Sequence, residues 1–151
     1  MRPTLRRPLV LACLSLSLGL VLVGCKTKTS DRDLQPLTPP EAIAKFGLPG
    51  GGDDRTVWID PRTSMKYAEA HIPGAISIPF GGGNFEFEAA KVSKGKTAVV
   101  VYGDNFQDIL ADAASKRLIQ LGYKDVYTLR GGIEQWVLDG HDIDGTDATS
   151  N

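Results

Sequence analysis

The sequence predicts an α/β fold in which a mostly parallel sheet carries helices on both faces, and three observations favour this class. Short apolar runs alternate with stretches of helical periodicity along the chain. The apolar runs are nearly continuous, as in parallel strands that are covered on both faces. The length of 151 residues suits one domain, and no internal repeat is present.

The first 24 residues are typical of an export signal and are set aside before the fold is considered. Arginines at positions 2, 6 and 7 precede an uncharged, leucine-rich run of 15 residues, 9–23. This run is shorter than the roughly 20 apolar residues that span a bilayer core. A cleaved signal segment, residues 1–24, is therefore predicted, and an uncleaved membrane anchor remains the alternative.

Cys25 completes the pattern Leu-Val-Gly-Cys at residues 22–25, which resembles the lipobox of bacterial lipoproteins. In such proteins the cysteine sulfur receives a diacylglyceryl group, cleavage precedes the cysteine, and its new amine is acylated. Each buried methylene contributes about 0.8 kcal/mol, and stable anchoring needs more than one chain. The resemblance therefore implies a lipid-anchored protein of the cell envelope, with the membrane as a partner through Cys25. Lys26 resembles the sorting residue of outer-membrane lipoproteins, which implies the periplasmic face if the cell is Gram-negative.

Cysteine placement and charge restrict the chemistry that remains after export. The two cysteines are Cys13 and Cys25, so acylation of Cys25 would leave no free thiol and no disulfide. Removal of residues 1–24 takes away three arginines and leaves 14 basic against 18 acidic residues, a formal charge of −4. This balance offers no basic field for nucleic acid. We expect no cofactor.

The polar ends of the chain define the predicted domain. Residues 25–40 consist mainly of Thr, Ser, Asp, Lys and Pro, and they are predicted to be the lipidated N-terminus and a flexible tether. Pro39 and Pro40, followed by Glu41, predict the start of a helix. Residues 141–151 are polar and acidic, which predicts a frayed tail. The domain is therefore expected to span residues 41–140.

Four strands and one clear helix are predicted within these bounds. The strands are apolar runs, several of them bounded by Gly, Pro or Asp, at residues 57–59, 76–78, 98–102 and 126–129. The helix contains apolar residues at helical spacing between positions 109 and 121 and ends at Gly122. Ligands of parallel sheets bind beyond the carboxyl ends of the strands. The candidate loops therefore follow Ile59, Tyr102 and Leu129.

Two of these loops lie in recognisable motifs. The first runs from Asp60-Pro61-Arg62 through Tyr67 and Glu69 to His71-Ile72-Pro73-Gly74-Ala75. The second runs from Leu121-Gly122-Tyr123 through Leu129-Arg130-Gly131-Gly132 to Trp136. In this order and at this separation, the two motifs resemble those of the rhodanese-like domain. The resemblance covers about residues 57–140 and implies a single rhodanese-like domain.

The resemblance also implies a sulfur-transfer site that this chain lacks. In rhodanese-like enzymes, a cysteine directly follows the strand that corresponds to residues 98–102. Its thiolate, cradled by backbone N–H groups at the start of the next helix, accepts a sulfur atom as a persulfide. Gly103 occupies this position and Asp104 the next, and neither can form a persulfide. The candidate ligand loop consists of Gly103, Asp104, Asn105, Phe106, Gln107 and Asp108.

The charges of this loop also depart from the family pattern. Related phosphatases place a phosphate-binding arginine six residues after the cysteine, and that position here is Ile109. The five-residue spacing that is typical of sulfurtransferase loops would fall on Asp108. No Lys or Arg occurs between Lys96 and Lys116. Holding a negative unit charge about 5 Å from a carboxylate, at an effective dielectric constant near 20, costs on the order of 3 kcal/mol. Asp104 and Asp108 are therefore expected to repel an anionic substrate.

The remaining motif residues are interpreted as structural. Asp60 and Arg62 are predicted to form an ion pair that orders their loop. His71 has no second ligand at a recognisable spacing, so a hydrogen-bonded histidine is favoured over a base or metal ligand. Gly131 and Gly132 permit a tight turn, and Trp136 is predicted to pack the last helix against the sheet. These residues indicate no metal site.

The sequence thus favours a non-catalytic, membrane-anchored rhodanese-like domain that binds an unknown envelope protein or small ligand, as a binding or scaffold module. Two further interpretations concern the carboxylates of the loop. In the first interpretation, Asp104 is a nucleophile or general base toward a neutral or cationic substrate. In the second, Asp104 and Asp108 hold a divalent cation. A divergent protein of the sulfurtransferase family also remains an alternative.

Overall fold

A computed structural model of the chain describes residues 28–51 and 54–147. The predicted signal segment, residues 1–24, and the predicted lipidation site, Cys25, lie outside the described residues. In the part that is described, no helix has the length and apolar character that crossing a membrane requires.

The core of the fold is a five-stranded sheet in which every pairing is parallel. Its strands, in chain order, are β1 (Gln35–Leu37), β2 (Thr56–Asp60), β3 (Ile76–Ser77), β4 (Ala98–Tyr102) and β5 (Val126–Leu129). Their order across the sheet is β1-β5-β4-β2-β3, which places the fully buried β4 at the centre. The predicted fold class is confirmed, and the four predicted strands are present.

The described residues form five α-helices, and helices lie on both faces of the sheet. They are α1 (Pro39–Phe46), α2 (Ser64–Glu69), α3 (Phe85–Val92), α4 (Leu110–Gln120) and α5 (Gly132–Leu138). Successive side chains of a strand point to opposite faces. In β4, Val99 and Val101 therefore pack into the cluster that contains residues of α3 and α4. Val100 and Tyr102 pack into the second cluster, with residues of α1 and α5.

Helix α4 agrees with the predicted helix except at its two ends. Its buried face consists of Ala111, Ala114, Ser115 and Leu118. Gly122 follows it with a φ of 97° in the left-handed region, which favours glycine after a helix. Ile109 and Leu121, which we had included in the apolar face, flank the helix and are exposed.

The prediction of a flexible tether over residues 25–40 is wrong from residue 31 onward. Strand β1 pairs in parallel with β5, placing Gln35 opposite Tyr127. Arg130 N–H donates to the carbonyl of Leu37 at 2.8 Å. The polar composition was misleading because an edge strand is held by backbone hydrogen bonds, and such a strand tolerates a proline such as Pro36. The predicted helix start is confirmed, since α1 begins at Pro39.

The predicted frayed tail is also docked, as far as residue 146. Asp144 and His71 exchange two backbone hydrogen bonds, of 2.8 and 2.9 Å. The indole N–H of Trp136 donates to the carbonyl of Asp142 at 2.8 Å. Thr146 N–H donates to the carbonyl of Ala68 at 3.1 Å. Backbone hydrogen bonds hold this segment together with one apolar side chain, Ile143, which packs against the second cluster, so its largely polar composition gave little signal.

Candidate functional site

Three connections meet at the carboxyl edge of the sheet, where the sequence predicted a ligand site. Asp60 ends β2 and Arg62 follows it, residues 103–109 connect β4 to α4, and Gly131 precedes α5 after β5. Because β2, β4 and β5 are neighbours in the sheet, their ends bring these residues together. We call residues 103–109 the β4–α4 loop.

Asp60 and Arg62 form the predicted ion pair, and both side chains are buried, with 0% and 4% of their surface exposed. Arg62 Nη2 lies 2.6 Å from Asp60 Oδ2, and Nε lies 2.9 Å from Oδ1. Arg62 Nη2 also donates to the carbonyl of Ala70 at 2.7 Å. Burial alone would lower the pKa of Arg62, but the hydrogen bonds and charge of Asp60 outweigh it and raise that pKa. The guanidinium is therefore a fixed positive charge.

Arg62 and Lys66 together neutralise Asp104, which corrects our expectation of a purely acidic loop. Arg62 Nη1 donates to Asp104 Oδ1 at 3.0 Å, and the Lys66 ammonium contacts Oδ2. Burial alone would raise the pKa of Asp104, but Lys66 and Arg62 lower it overall. The lack of Lys and Arg between Lys96 and Lys116 does not exclude these cations, because they lie 42 and 38 positions before Asp104 in the chain.

Asp108 occupies the space beside Gly103 where a cysteine side chain would begin. A Cβ atom at position 103 would overlap Asp108 Oδ2 and would lie 3.1 Å from its Cγ. Asp108 Oδ2 accepts a hydrogen bond from Asp104 N–H, and Oδ1 accepts one from Leu110 N–H, both at 2.8 Å. The carboxylate therefore accepts hydrogen bonds from one backbone N–H in the loop and one at the start of α4, where the family resemblance places an anionic sulfur.

The β4–α4 loop is fixed to the start of α5 by backbone hydrogen bonds. Ile133 N–H donates to the carbonyl of Gly103, and Glu134 N–H donates to that of Asp104, both at 3.0 Å. Gly132 has a φ of 57°, and a Cβ atom there would overlap the Gly103 carbonyl. The glycine pair thus allows the close approach of two loops as well as the predicted turn.

His71 and Trp136 have the structural roles that the sequence predicted. His71 Nδ1 lies 2.7 Å from the carbonyl of Tyr67, and the two rings stack at 3.8 Å between centroids. Trp136 is 1% exposed and packs edge-on against Trp58, with 5.7 Å between ring centroids. The described residues contain no group of three or more His, Cys, Asp or Glu side chains that could hold a metal ion.

A cleft of about 270 Å³ lies between the β4–α4 loop and the N-terminal segment. The N-terminal segment contributes Asp31, Leu34 and Pro36 to its lining. The loop contributes Gly103, Asn105, Phe106 and Asp108, and the residues after β5 contribute Arg130 and Gly131. The sequence could not predict this cleft, since one wall comes from residues assigned to the tether.

The remaining residues of the loop have distinct positions. Asn105 Oδ1 accepts a hydrogen bond from Gln107 N–H at 3.0 Å, which closes a local turn. Phe106 is 60% exposed, and the Arg130 guanidinium lies 6.0 Å from its ring centroid. Asp112, which also lines the cleft, has a pKa raised chiefly by burial, while Lys116 opposes the shift. Of the predicted ligand residues, Asn105, Phe106 and Asp108 line the cleft with part of their surface open to solvent.

Comparison with known proteins places this arrangement among rhodanese-like domains. The model of the family described as "Rhodanese-like domain" matches residues 50–139. The BH2092 protein of Bacillus halodurans is 30% identical, with a TM-score of 0.61 over 75% of this chain and 78% of that chain. No curated protein is significantly similar.

Two further solved structures differ in what they are described to do. Thiosulfate sulfurtransferase of Pseudomonas aeruginosa is 22% identical, with a TM-score of 0.61 over 80% of this chain and 22% of that chain. At this identity the likeness shows the fold alone. RPA3614 of Rhodopseudomonas palustris, a protein of unknown function and possible tyrosine phosphatase, is 26% identical, with a TM-score of 0.60 over 75% and 86% of the two chains.

Proposed function

The chain belongs to the rhodanese-like family, and on this premise we propose that it is a non-catalytic member that acts as a lipid-anchored binding module of the cell envelope. One observation carries the proposal. By the family resemblance, Gly103 corresponds to the persulfide cysteine, and the Asp108 carboxylate fills the adjoining space and accepts hydrogen bonds from two backbone N–H groups. A persulfide requires a thiol, and the sequence after Cys25 contains no cysteine.

The environment of Asp104 argues against the alternative in which this residue is a nucleophile or general base. Both of its carboxylate oxygens contact cations, one of Arg62 and one of Lys66. These contacts lower its pKa, and a carboxylate of lower basicity is a weaker proton acceptor at neutral pH. The same contacts argue against a divalent-cation site shared by Asp104 and Asp108, because Arg62 and Lys66 already occupy the oxygens of Asp104. The oxygens of Asp108 accept backbone hydrogen bonds instead.

The cleft beside the β4–α4 loop is the proposed binding surface. Its lining combines the apolar residues Leu34 and Phe106 with polar and charged residues, namely Asn105, Arg130, Asp31, Asp108 and Asp112. A few polar groups within a partly apolar concave surface are the usual composition of a ligand site. The ligand is an envelope protein segment or a small molecule of the same compartment.

Acylation of Cys25 supplies the anchoring part of the proposal. The support is the Leu-Val-Gly-Cys pattern at residues 22–25, directly after an apolar run of signal-like length. Mass spectrometry of the protein purified from membranes tests this part. We expect an N-terminus at Cys25 that carries acyl groups, and an unmodified Cys25 would contradict it.

Site-specific photocrosslinking tests the binding part. A crosslinking amino acid at Asn105, which lines the cleft, is compared with one at Asn84, an exposed asparagine that does not line it. We expect a discrete product from position 105 in intact envelopes and none from position 84. Indistinguishable product patterns from the two positions would contradict a binding surface at the cleft.

A further inference from the structure

We infer that the β4–α4 loop faces the bilayer that holds the anchor, with Phe106 and Ile109 in contact with the lipid interface. The inference rests on the proposed acylation of Cys25, and it adds the orientation of the domain and a lipid surface as its partner. Three features carry it: the short connection from Cys25 to the domain, the size of the domain, and the exposed apolar side chains around the point of attachment.

The connection from Cys25 to the folded domain is short because the N-terminal segment is docked from residue 31. Asp31 forms an ion pair with Lys116 on α4. Ser30 N–H donates to Asp33 Oδ2 at 2.7 Å, which closes a turn at residues 31–33. Asp31 lies six residues after Cys25. At 3.3–3.6 Å per residue, Asp31 can be at most about 22 Å from the anchoring cysteine.

This reach is smaller than the domain. A compact chain of about 120 residues has a radius of gyration of about 13 Å, which corresponds to a sphere roughly 35 Å across. The surface opposite Asp31 therefore cannot reach the bilayer while Cys25 remains in it. The lipid-facing surface is therefore restricted to the part of the domain around and beside Asp31.

Two exposed apolar side chains of the β4–α4 loop flank this attachment point. Asp31 shares the lining of the cleft with Phe106, which is 60% exposed. Lys116, the ion-pair partner of Asp31, lines a neighbouring groove together with Ile109, which is 78% exposed. Exposed apolar residues also occur elsewhere, as at Leu138, so exposure alone decides nothing. The pair on the loop is favoured because it lies beside the attachment point.

The polar groups around this pair are compatible with a lipid surface. Asp31 pairs with Lys116, and Asp104 pairs with Arg62 and Lys66, so these carboxylates are compensated by neighbouring cations. Arg130, whose guanidinium lies 6.0 Å from the Phe106 ring, can extend a cation toward headgroup phosphates. The contact therefore needs no anionic lipid, and a phosphatidylcholine–phosphatidylethanolamine surface is sufficient.

The test uses the full acylated protein in vesicles of phosphatidylcholine and phosphatidylethanolamine, with one environment-sensitive label per molecule. Ile109→Cys places the label on the loop. Leu138→Cys places it at an equally exposed aliphatic position, 72% against 78%, at the end of α5 on the other face of the sheet. With Cys25 acylated, no other free thiol competes for the label. Far-UV circular dichroism confirms that both variants fold.

We expect headgroup-attached nitroxide lipids to quench the label at position 109 at least twofold more than the label at position 138. Equal quenching at the two positions, or none at position 109, would overturn the inference. Protection of position 109 in native envelopes but not in pure lipid vesicles would assign the surface to a protein and would also overturn it. Acylation is verified by mass beforehand, so a failure of anchoring is distinguished from a failure of orientation.

Discussion

Replacement of Gly103 by cysteine would restore the family's residue but would displace Asp108. Gly103 does not have a positive φ, so the backbone itself permits a side chain. The new Cβ atom would overlap Asp108 Oδ2, which has to move and lose its hydrogen bonds from Asp104 N–H and Leu110 N–H. We therefore expect Gly103→Cys to be destabilising for a local and identifiable reason.

The expected magnitude follows from these two hydrogen bonds. A bond to a charged acceptor contributes about 1.5–3 kcal/mol when buried. Because Asp108 is partly exposed, we take about 1 kcal/mol for each. Gly103→Cys and Asp108→Ala should then each lower the free energy of unfolding by about 2 kcal/mol. The double variant should also lose about 2 kcal/mol rather than 4, since both changes remove the same two bonds.

Urea denaturation of residues 26–151 measures this coupling. Gly81→Cys is the matched control, because a Cβ atom at Gly81 has no neighbour within 4 Å and its φ is not positive. The control should change stability by less than about 0.5 kcal/mol. Strict additivity of Gly103→Cys and Asp108→Ala, or a cost of Gly103→Cys no larger than that of Gly81→Cys, would refute the proposed role of Asp108.

Three further predictions address the charges, the glycine contact and the docked N-terminal strand. The pKa of Asp104 should lie below its ordinary value and rise in Lys66→Met, as followed by carboxyl NMR, and an unshifted titration would contradict the ion pair. The stabilisation that ionised Asp104 contributes is present above the unfolded-state pKa of about 3.9 and is lost as the pH falls through the lowered folded-state value. Gly132→Ala should lower the free energy of unfolding by about 2–4 kcal/mol. Gly140→Ala is the control and should cost about 1 kcal/mol, because Gly140 has a positive φ but open space around it. Equal losses would exclude the close approach of Gly132 to the Gly103 carbonyl. The Arg130 amide, which donates to the β1 carbonyl, should be protected in hydrogen exchange, whereas exchange at the rate of an unstructured chain would restore the tether interpretation.

The central part of the fold could be predicted from the sequence because its signals are local. The apolar run at residues 98–102 indicated a buried strand, and the spacing between residues 109 and 121 indicated α4. Asp60 and Arg62 are close in sequence, so their ion pair could also be predicted. In each case the information lies within a single strand, helix or loop.

The contacts that shape the candidate site could not be predicted because they join distant parts of the chain. Lys66 meets Asp104 across 38 positions. β1 is held by backbone groups of β5, for which its polar composition gives no signal. The position of the Asp108 carboxylate beside Gly103 depends on the path of the β4–α4 loop, which residue types alone do not specify.

Sulfur transfer by the unmodified domain is the most direct test of the claim that the chain is non-catalytic. Residues 26–151 are incubated with thiosulfate and cyanide, and thiocyanate is measured against an enzyme-free blank, with a catalytic rhodanese as positive control. Because Gly103 and Asp108 leave no thiol in the site, we predict thiocyanate formation at the rate of the blank. Thiocyanate formed above the blank in proportion to the protein concentration would contradict the account.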